Sequence, residues 1–528
     1  MEAILINGKW ETPENPSNTF KAFNPIEKKS LSSIYPVSDS SDVDRMINAG
    51  KKAADELRNI SNDRLAIFIE KFADNIEVKA QELIDLAYLE TALPKEPRLA
   101  SVELPRTVGQ LRQAATATRD MSWCNATIDT SSNIRSMLGP LGGPVVVFGP
   151  NNFPYAFNSC AGGDFAAAIA AGNPVIAKAN PGHPGTTKIF AECAFDAVQS
   201  TGLPKATVQL LYHVLPEDGF KLVSHASIGA AAFTGSKNAG LKLKEAADKA
   251  GKPIYLEMSS VNPVFILPGA IRERSSKIAE EFYESCRMGA GQFCTSPGLL
   301  VVQENEESKT FIKLIIRLFG SKMPQTLLSK SGLRNIENAV RVLKENGAKV
   351  KVGGSVANEP GYAHEDTILE INGSSFITNS GVLQTEVFGT VALIVVAKDT
   401  EEMMRVAASM EGNLTGTFYT HSGSDDDSDY KQVASILRQK VGRLLNDKMP
   451  TGVAVVSSMN HGGPFPATGH PGFSAVGIPN SMIRFGALHC YDNIRAYRLP
   501  EVLRDKNPNG RMKRFIDGDW TSIDVKRS

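Results

Sequence analysis

The amino-acid sequence predicts an α/β protein with a doubly wound parallel sheet, followed by a second α/β unit. Three observations predict it. Five short apolar runs recur at residues 144–149 (PVVVFG), 174–178 (PVIAK), 206–212 (ATVQLLY), 228–235 (IGAAAFTG) and 253–258 (PIYLEM). Helical segments at 161–171, 186–201 and 241–250 separate the first from the second, the second from the third and the fourth from the fifth. Two further apolar runs, 298–303 (GLLVVQ) and 391–397 (VALIVVA), lie in a second stretch from about 266 to 463. Strands covered on both faces read as near-continuous apolar runs, and alternating strands and helices wind right-handedly into a parallel sheet. Such a sheet binds ligands beyond the carboxyl ends of its strands.

At 528 residues the chain exceeds one ordinary core, so two or three domains are expected. Ahead of the sheet, residues 41–57 and 64–92 carry apolar positions at helical spacing, the second ending in the loop LPKEP at 93–97. Residues 127–137 alternate and run into the turn-rich 139–144, which predicts a hairpin that pairs elsewhere. The tail YDNIRAYRLPEVL, just beyond Cys490, alternates briefly before Pro500 and reads as a short edge strand. The acidic loop SGSDDDSD at 422–429 reads as a solvated turn, and no internal repeat is evident.

Lys plus Arg and Asp plus Glu number 57 each, a formal net charge of zero that argues against nucleic-acid or membrane-surface partners. No apolar run is long enough to span a bilayer, and the N-terminus lacks the basic-then-apolar pattern of a signal peptide. The six cysteines are scattered without a CxxC pair, and the eight histidines lack ligand spacing; His461 and His470 lie in a Gly/Pro loop without evident partners. A reducing cytoplasm, no disulfide framework and no structural metal are the expectation.

Four pieces carry chemistry: Asn151-Asn152-Phe153-Pro154, Phe233-Thr234-Gly235-Ser236, Leu256-Glu257-Met258 and Gly291-Gln292-Phe293-Cys294. The first three follow predicted strand ends, and the fourth is in a Gly-rich segment able to present a thiol. Taken singly, each has a structural reading: a buried small hydrophobe for a cysteine, a turn residue for Asn152, a strand-end cap for Glu257, a solvated lysine for Lys178, a helix cap for Ser236.

Together they resemble the aldehyde dehydrogenase superfamily, from INGKW (6–10) and FNPIEKK (23–29) through to HGGPFPATG (461–469). The resemblance implies a Rossmann-type cofactor domain at 1–125 and 142–258 and an α/β catalytic domain at 259–489. It also implies a small β bridging element at 126–141 and 490–528 that pairs subunits into a homodimer or homotetramer. By the same resemblance Cys294 is the nucleophile, Glu257 the general base and Asn152 the oxyanion-binding amide. Lys178 meets the cofactor ribose, Gly235 and Ser236 lie at the pyrophosphate, and Glu386 and Phe388 in EVFG position the nicotinamide ribose and ring. The chemistry agrees. A carbonyl carbon cannot release hydride until a nucleophile has added, and a thiolate both adds well and leaves well from a thioester. No G-x-G-x-x-G opens the sheet, so the cofactor assignment rests on the resemblance.

Two departures refine it. Where the NAD-preferring family pattern has Lys-Pro-Ser-Glu, this chain has Lys178-Ala179-Asn180-Pro181, which removes a carboxylate that would repel a 2′-phosphate. NADP is therefore expected as the preferred cofactor, with NAD possible, the phosphate meeting Lys178 and His183. The general-base segment reads Glu257-Met258-Ser259-Ser260-Val261-Asn262-Pro263 instead of Glu-Leu-Gly-Gly-Lys-x-Pro. With KANPGHPGT and QFCTSPG it resembles the 2,5-dioxovalerate (α-ketoglutaric semialdehyde) dehydrogenases, and a related branch contains NADP-linked fatty-aldehyde enzymes. The first substrate carries a carboxylate, for which Arg106, Arg112 and Arg287 are candidates. The second would need an apolar pocket, for which Phe153, Tyr155, Phe157, Phe293 and Phe465 are candidates. A CoA-acylating enzyme, a catalytically inactive member and a thiol hydrolase with a histidine partner for Cys294 are the competing classes.

Overall fold

The computed structural model describes residues 1–14 and 16–526. The first sheet has the strand order Ile254–Glu257, Ala230–Thr234, Val145–Phe148, Val175–Lys178, Val208–Leu211, Ile4–Ile6, Lys9–Glu11. The five expected strands pair parallel throughout, with Val145 opposite Val175 on one side and Ala230 on the other. Val145, Val146, Val175 and Ile176 are fully buried, the consequence of helices on both faces. The N-terminal hairpin closes one edge antiparallel, with Leu5 opposite Leu210. Chain order reverses beside Val145–Phe148, so the crevice lies beyond Phe148 and Thr234, where Asn152 and Gly235 follow.

The second sheet runs Lys349–Val352, Thr367–Asn372, Val391–Ala397, Leu299–Gln303, Val264–Ile266, Asn413–Tyr419, Val441–Asn446. Every pair is parallel except the first. A third sheet joins Gly486–Asp492, Ile134–Pro140, Thr127–Asp129, Arg514–Ile516 and Asp519–Thr521. The expected hairpin at 127–137 is present, and it pairs with a strand more than three hundred residues away, Gly486 opposite Pro140. Arg527 and Ser528, the end of the expected bridging element, lie outside the described residues.

Four expectations need correction. The helix expected over 64–92 is two, Asn62–Val78 and Ala80–Thr91, broken at Lys79. Beyond it the loop is short: a π-helical turn at Lys95–Glu103 leads into the helix Leu104–Asp120. The tail strand ends at Asp492 because Asn493 takes a left-handed φ of 53°. The acidic loop is not wholly solvated. Asp426 is buried, and its carboxylate accepts from Gly269 N (2.9 Å), Ala270 N (3.0 Å) and His421 N (2.7 Å), capping the helix Pro268–Arg287.

Candidate active site

The helix Pro268–Arg287 is followed by three left-handed residues, Gly289, Ala290 and Gly291, with φ of 61°, 57° and 72°. A Cβ at Gly291 would come within 2.1 Å of the Gly389 carbonyl carbon, so glycine is required there. This turn delivers Cys294 to the crevice, half-buried. Behind it Asn262, itself left-handed and fully buried, donates from Nδ2 to the carbonyls of Cys294 (2.8 Å) and Ser296 (2.9 Å). Its Oδ1 accepts from Ser260 Oγ (2.8 Å) and Thr415 Oγ1 (2.9 Å), while Asn413 Oδ1 accepts from Val261 N (2.9 Å) and Asn262 N (3.2 Å). The segment that departs from Gly-Gly-Lys is thus a hydrogen-bonded cradle for the nucleophile's backbone.

Asn152 follows the strand Val145–Phe148 and donates from Nδ2 to the Gln292 carbonyl at 2.8 Å, two residues before Cys294. Its loop is fixed by residues that sequence reasoning missed. Arg98 donates to the Asn152 carbonyl (2.9 Å), pairs with Glu103 (3.1 Å), and lies over the rings of Phe153 (4.2 Å) and Phe293 (4.6 Å). The other Glu103 oxygen accepts from Tyr155 N (2.9 Å) and Ala156 N (3.0 Å).

Glu257 ends its strand and bridges to Thr468, while Met258 N donates to the Ala467 carbonyl at 2.8 Å. These contacts draw in the 461–469 loop and overturn the reading of His461 as partnerless. His461 is buried, with Nε2 3.1 Å from Cys294 Sγ and 2.8 Å from Glu257 Oε1. The second approach has the length of an ion pair without the direction of a hydrogen bond, since Glu257 Oε1 has no aligned donor. Two glycines following a histidine, in a loop pressed onto the core, are the one sequence signal for it. Burial and the adjacent Glu257 carboxylate push the Cys294 thiol well above its usual range; Glu386 adds to this and Arg106 opposes it. The thiol therefore needs a neighbouring base, and the imidazole touches it.

The cofactor-type residues fit a dinucleotide. Lys178 ends its strand half-buried, pushed down to about 8 by burial, with no carboxylate opposing the shift. Glu90, which lines one cleft with Asn180 and Pro181, is spent on Gly185 N (2.8 Å) and on Thr186 N (3.0 Å) and Oγ1 (2.7 Å). Ser236 caps the helix Lys237–Lys249, whose N-terminus favours a phosphate, and a Cβ at Gly235 would lie 2.8 Å from the Phe233 ring, so glycine is required there. Glu386 and Phe388 line one cleft with Ser260, Gly291 and Phe293. Burial pushes the Glu386 carboxyl up to about 7 although Ser259 and Ser260 N hold it. His183 does not join this group. It is fully buried, with Nε2 2.9 Å from the Pro150 carbonyl, and is a packing residue.

The substrate-side candidates divide. Phe153 packs with Ala156, Phe293 and Phe157 beside the nucleophile. Arg106 lies 5.2 Å over the Phe157 ring, within electrostatic reach of Cys294 and Glu257, and its buried Nη2 has no hydrogen-bond partner. Arg287 is not brought there. Its Nε holds the buried Asp366 at 3.0 Å and its Nη2 holds the Met323 carbonyl. Arg112 is on the surface, pairing with Glu77 and Asp74. Phe465 is 59% exposed and outside the aromatic cluster.

The aldehyde dehydrogenase family model matches residues 10–456. The chain belongs to the aldehyde dehydrogenase family. It is 36% identical over 509 residues to "Alpha-ketoglutaric semialdehyde dehydrogenase 2" of Azospirillum brasilense, covering 94% of this chain and 96% of that one. It is 33% identical over 531 residues to the alpha-ketoglutaric semialdehyde dehydrogenase of Acinetobacter baylyi, covering 98% of each. Among solved structures it matches the aldehyde dehydrogenase KauB of Pseudomonas aeruginosa with a TM-score of 0.79 and 21% identity, over 93% of this chain and 96% of that one. It matches AldC of Pseudomonas syringae, solved with NAD+ and octanal, with a TM-score of 0.79 and 19% identity, over the same shares. This is the aldehyde dehydrogenase fold. Among the described residues of this aldehyde dehydrogenase no helix is long and apolar enough to cross a membrane.

Proposed function

We propose that this aldehyde dehydrogenase oxidises a small oxo-acid aldehyde, 2,5-dioxopentanoate, to 2-oxoglutarate with NADP. The observation that carries the substrate is Arg106, whose buried Nη2 has no hydrogen-bond partner and which interacts electrostatically with Cys294 and Glu257. A buried guanidinium donor without an acceptor is costly, and a substrate carboxylate supplies the acceptor. The two semialdehyde dehydrogenases matched over nearly their whole length support the same class.

The roles follow from the contacts. His461 takes the thiol proton of Cys294, whose sulfur adds to the aldehyde carbon. The Asn152 amide, held toward Gln292, and the Cys294 backbone N–H receive the oxyanion. When bound, the nicotinamide supplies the hydride acceptor. Glu257 then takes a proton from the water that attacks the acyl group on Cys294, releasing the carboxylic acid and restoring the thiol. Lys178, Gly235 and Ser236 hold the ribose and pyrophosphate, and Glu386 and Phe388 the nicotinamide half.

Replacing Arg106 by glutamine is expected to lower kcat/KM for 2,5-dioxopentanoate about tenfold to a hundredfold, the ~1.5–3 kcal/mol of a charged hydrogen bond. Oxidation of hexanal should barely change. Equal losses on both aldehydes, or a wild-type preference for hexanal, would refute the substrate. With Pro181 in place of a ribose-binding glutamate, kcat/KM should favour NADP over NAD by about tenfold or more, one charged contact between Lys178 and the 2′-phosphate. A preference for NAD would overturn that part.

The three sheets support a division into a cofactor domain (1–125, 142–258), a catalytic domain and a bridging element of 126–141 with the C-terminal residues. The bridging element is best started at Gly486, since that strand pairs with Ile134–Pro140. Leu488, 73% exposed on this edge strand, suits subunit pairing in a dimer or tetramer. Six free cysteines accord with a reducing cytoplasm.

A further inference from the structure

We propose that Cys294, His461 and Glu257 together form a capture site for zinc-type divalent cations, which silences the enzyme by occupying its nucleophile. Among the described residues this is the one group of three such side chains, their ligand atoms all within 4.8 Å of one another. The set is a thiolate, an imidazole and a carboxylate, the donors that favour zinc over magnesium or calcium. Each comes from a different segment and each has its backbone held: Cys294 by Asn262 on its carbonyl, Glu257 by its bridge to Thr468, His461 by its backbone N–H donating to the Ser474 carbonyl (3.0 Å). A preformed triad of this kind loses little entropy on binding.

The geometry is close to what the metal needs. Ligand atoms around tetrahedral zinc are about 3.5 Å apart, given bonds of about 2.0–2.3 Å. Here sulfur to nitrogen is 3.1 Å and nitrogen to oxygen 2.8 Å, so a side-chain movement of roughly half an ångström opens the site. Glu257 Oε1, buried without a directed donor, gains a ligand bond. Three protein ligands leave a fourth tetrahedral position for water. Binding exchanges the thiol proton for the metal: the S–H bond breaks, the S–Zn bond forms and the proton passes to solvent, with no change in oxidation state. Metal and aldehyde therefore compete for one sulfur lone pair.

Cobalt(II) is the probe, added to the cofactor-free full chain carrying Cys490→Ser, because Cys490 is the exposed competing thiol. About one equivalent is expected to give thiolate-to-cobalt charge-transfer absorption, absent in Cys294→Ser. In both His461→Gln and His461→Phe the Kd should weaken by at least about tenfold, ~1.4 kcal/mol. Zinc should displace the cobalt and inhibit competitively with aldehyde, with recovery on chelation by EDTA. Absorption that survives Cys294→Ser, or a Kd unmoved by both His461 variants, overturns the proposal. If a His461 variant fails to fold by circular dichroism, Glu257→Gln provides the same comparison. The cobalt spectrum requires no turnover, so its failure is separable from an error in the substrate or cofactor.

Discussion

The Cys294→Ala variant is expected to lose aldehyde oxidation by at least about 10⁴-fold in kcat while still binding the dinucleotide, because the nucleophile works as a unit with its base and oxyanion donors. The sulfur's hydrogen-bond partner is His461, and the cleft lined by Glu386 and Phe388 does not include Cys294, so truncating Cys294 is expected to leave that cleft intact. The effect is large because every chemical step passes through the sulfur. Without the S–C bond the oxyanion donors have no oxyanion to stabilise, and Glu257 has no thioester to hydrolyse. Stopped-flow turnover, together with calorimetric titration of NADP, measures both halves. Residual kcat above about one per cent, or loss of cofactor binding, would contradict the roles assigned here.

Glu257→Gln is expected to behave differently: a pre-steady-state burst of reduced cofactor, then a steady rate lowered about 10²- to 10⁴-fold. The glutamine keeps the volume at the end of the strand Ile254–Glu257 and cannot accept a proton from water, so acylation proceeds and deacylation stalls. Burial, which does most to hold the Cys294 thiol high, remains, but the variant removes the adjacent carboxylate that adds to it, so alkylation of Cys294 by iodoacetamide should quicken at a given pH. The sign is fixed by linkage: a carboxylate beside a thiol disfavours the thiolate, so its loss lowers the pH at which thiolate appears. A variant without a burst would instead place Glu257 in the acylation step.

The five parallel strands of the seven-stranded first sheet were readable because helices cover both of its faces, which demands apolar side chains at every position of residues such as Val145–Val147. Asn413–Tyr419 was not readable, although it too is wholly buried. Its Asn413 and Thr415 are polar because they hydrogen-bond Ser260, Val261 and Asn262, and nothing local announces partners about 150 residues away. His461 escaped for the same reason: its thiol partner is 167 residues distant. Arg287 misled in the opposite direction. It is seven residues before Cys294, yet the left-handed turn at 289–291 carries the chain away from it and leaves its guanidinium with Asp366. Arg98 was hidden behind a helix start that local composition presents as a loop. Motif residues, by contrast, were legible because short-range spacing around each chemical group survives in the sequence even where its distant partners do not.

The cradle of Ser260, Asn262, Asn413 and Thr415 has a bearing on how such an enzyme can change. Asn262 serves the nucleophile's carbonyl with one end and two hydroxyls with the other, while its left-handed backbone is tethered by a side chain from a different strand. No member of this set can be exchanged alone without leaving a buried donor or acceptor stranded. The segment is therefore coupled across the chain: an exchange at Ser260 or Asn262 calls for a matching exchange at Asn413 or Thr415, about 150 residues away.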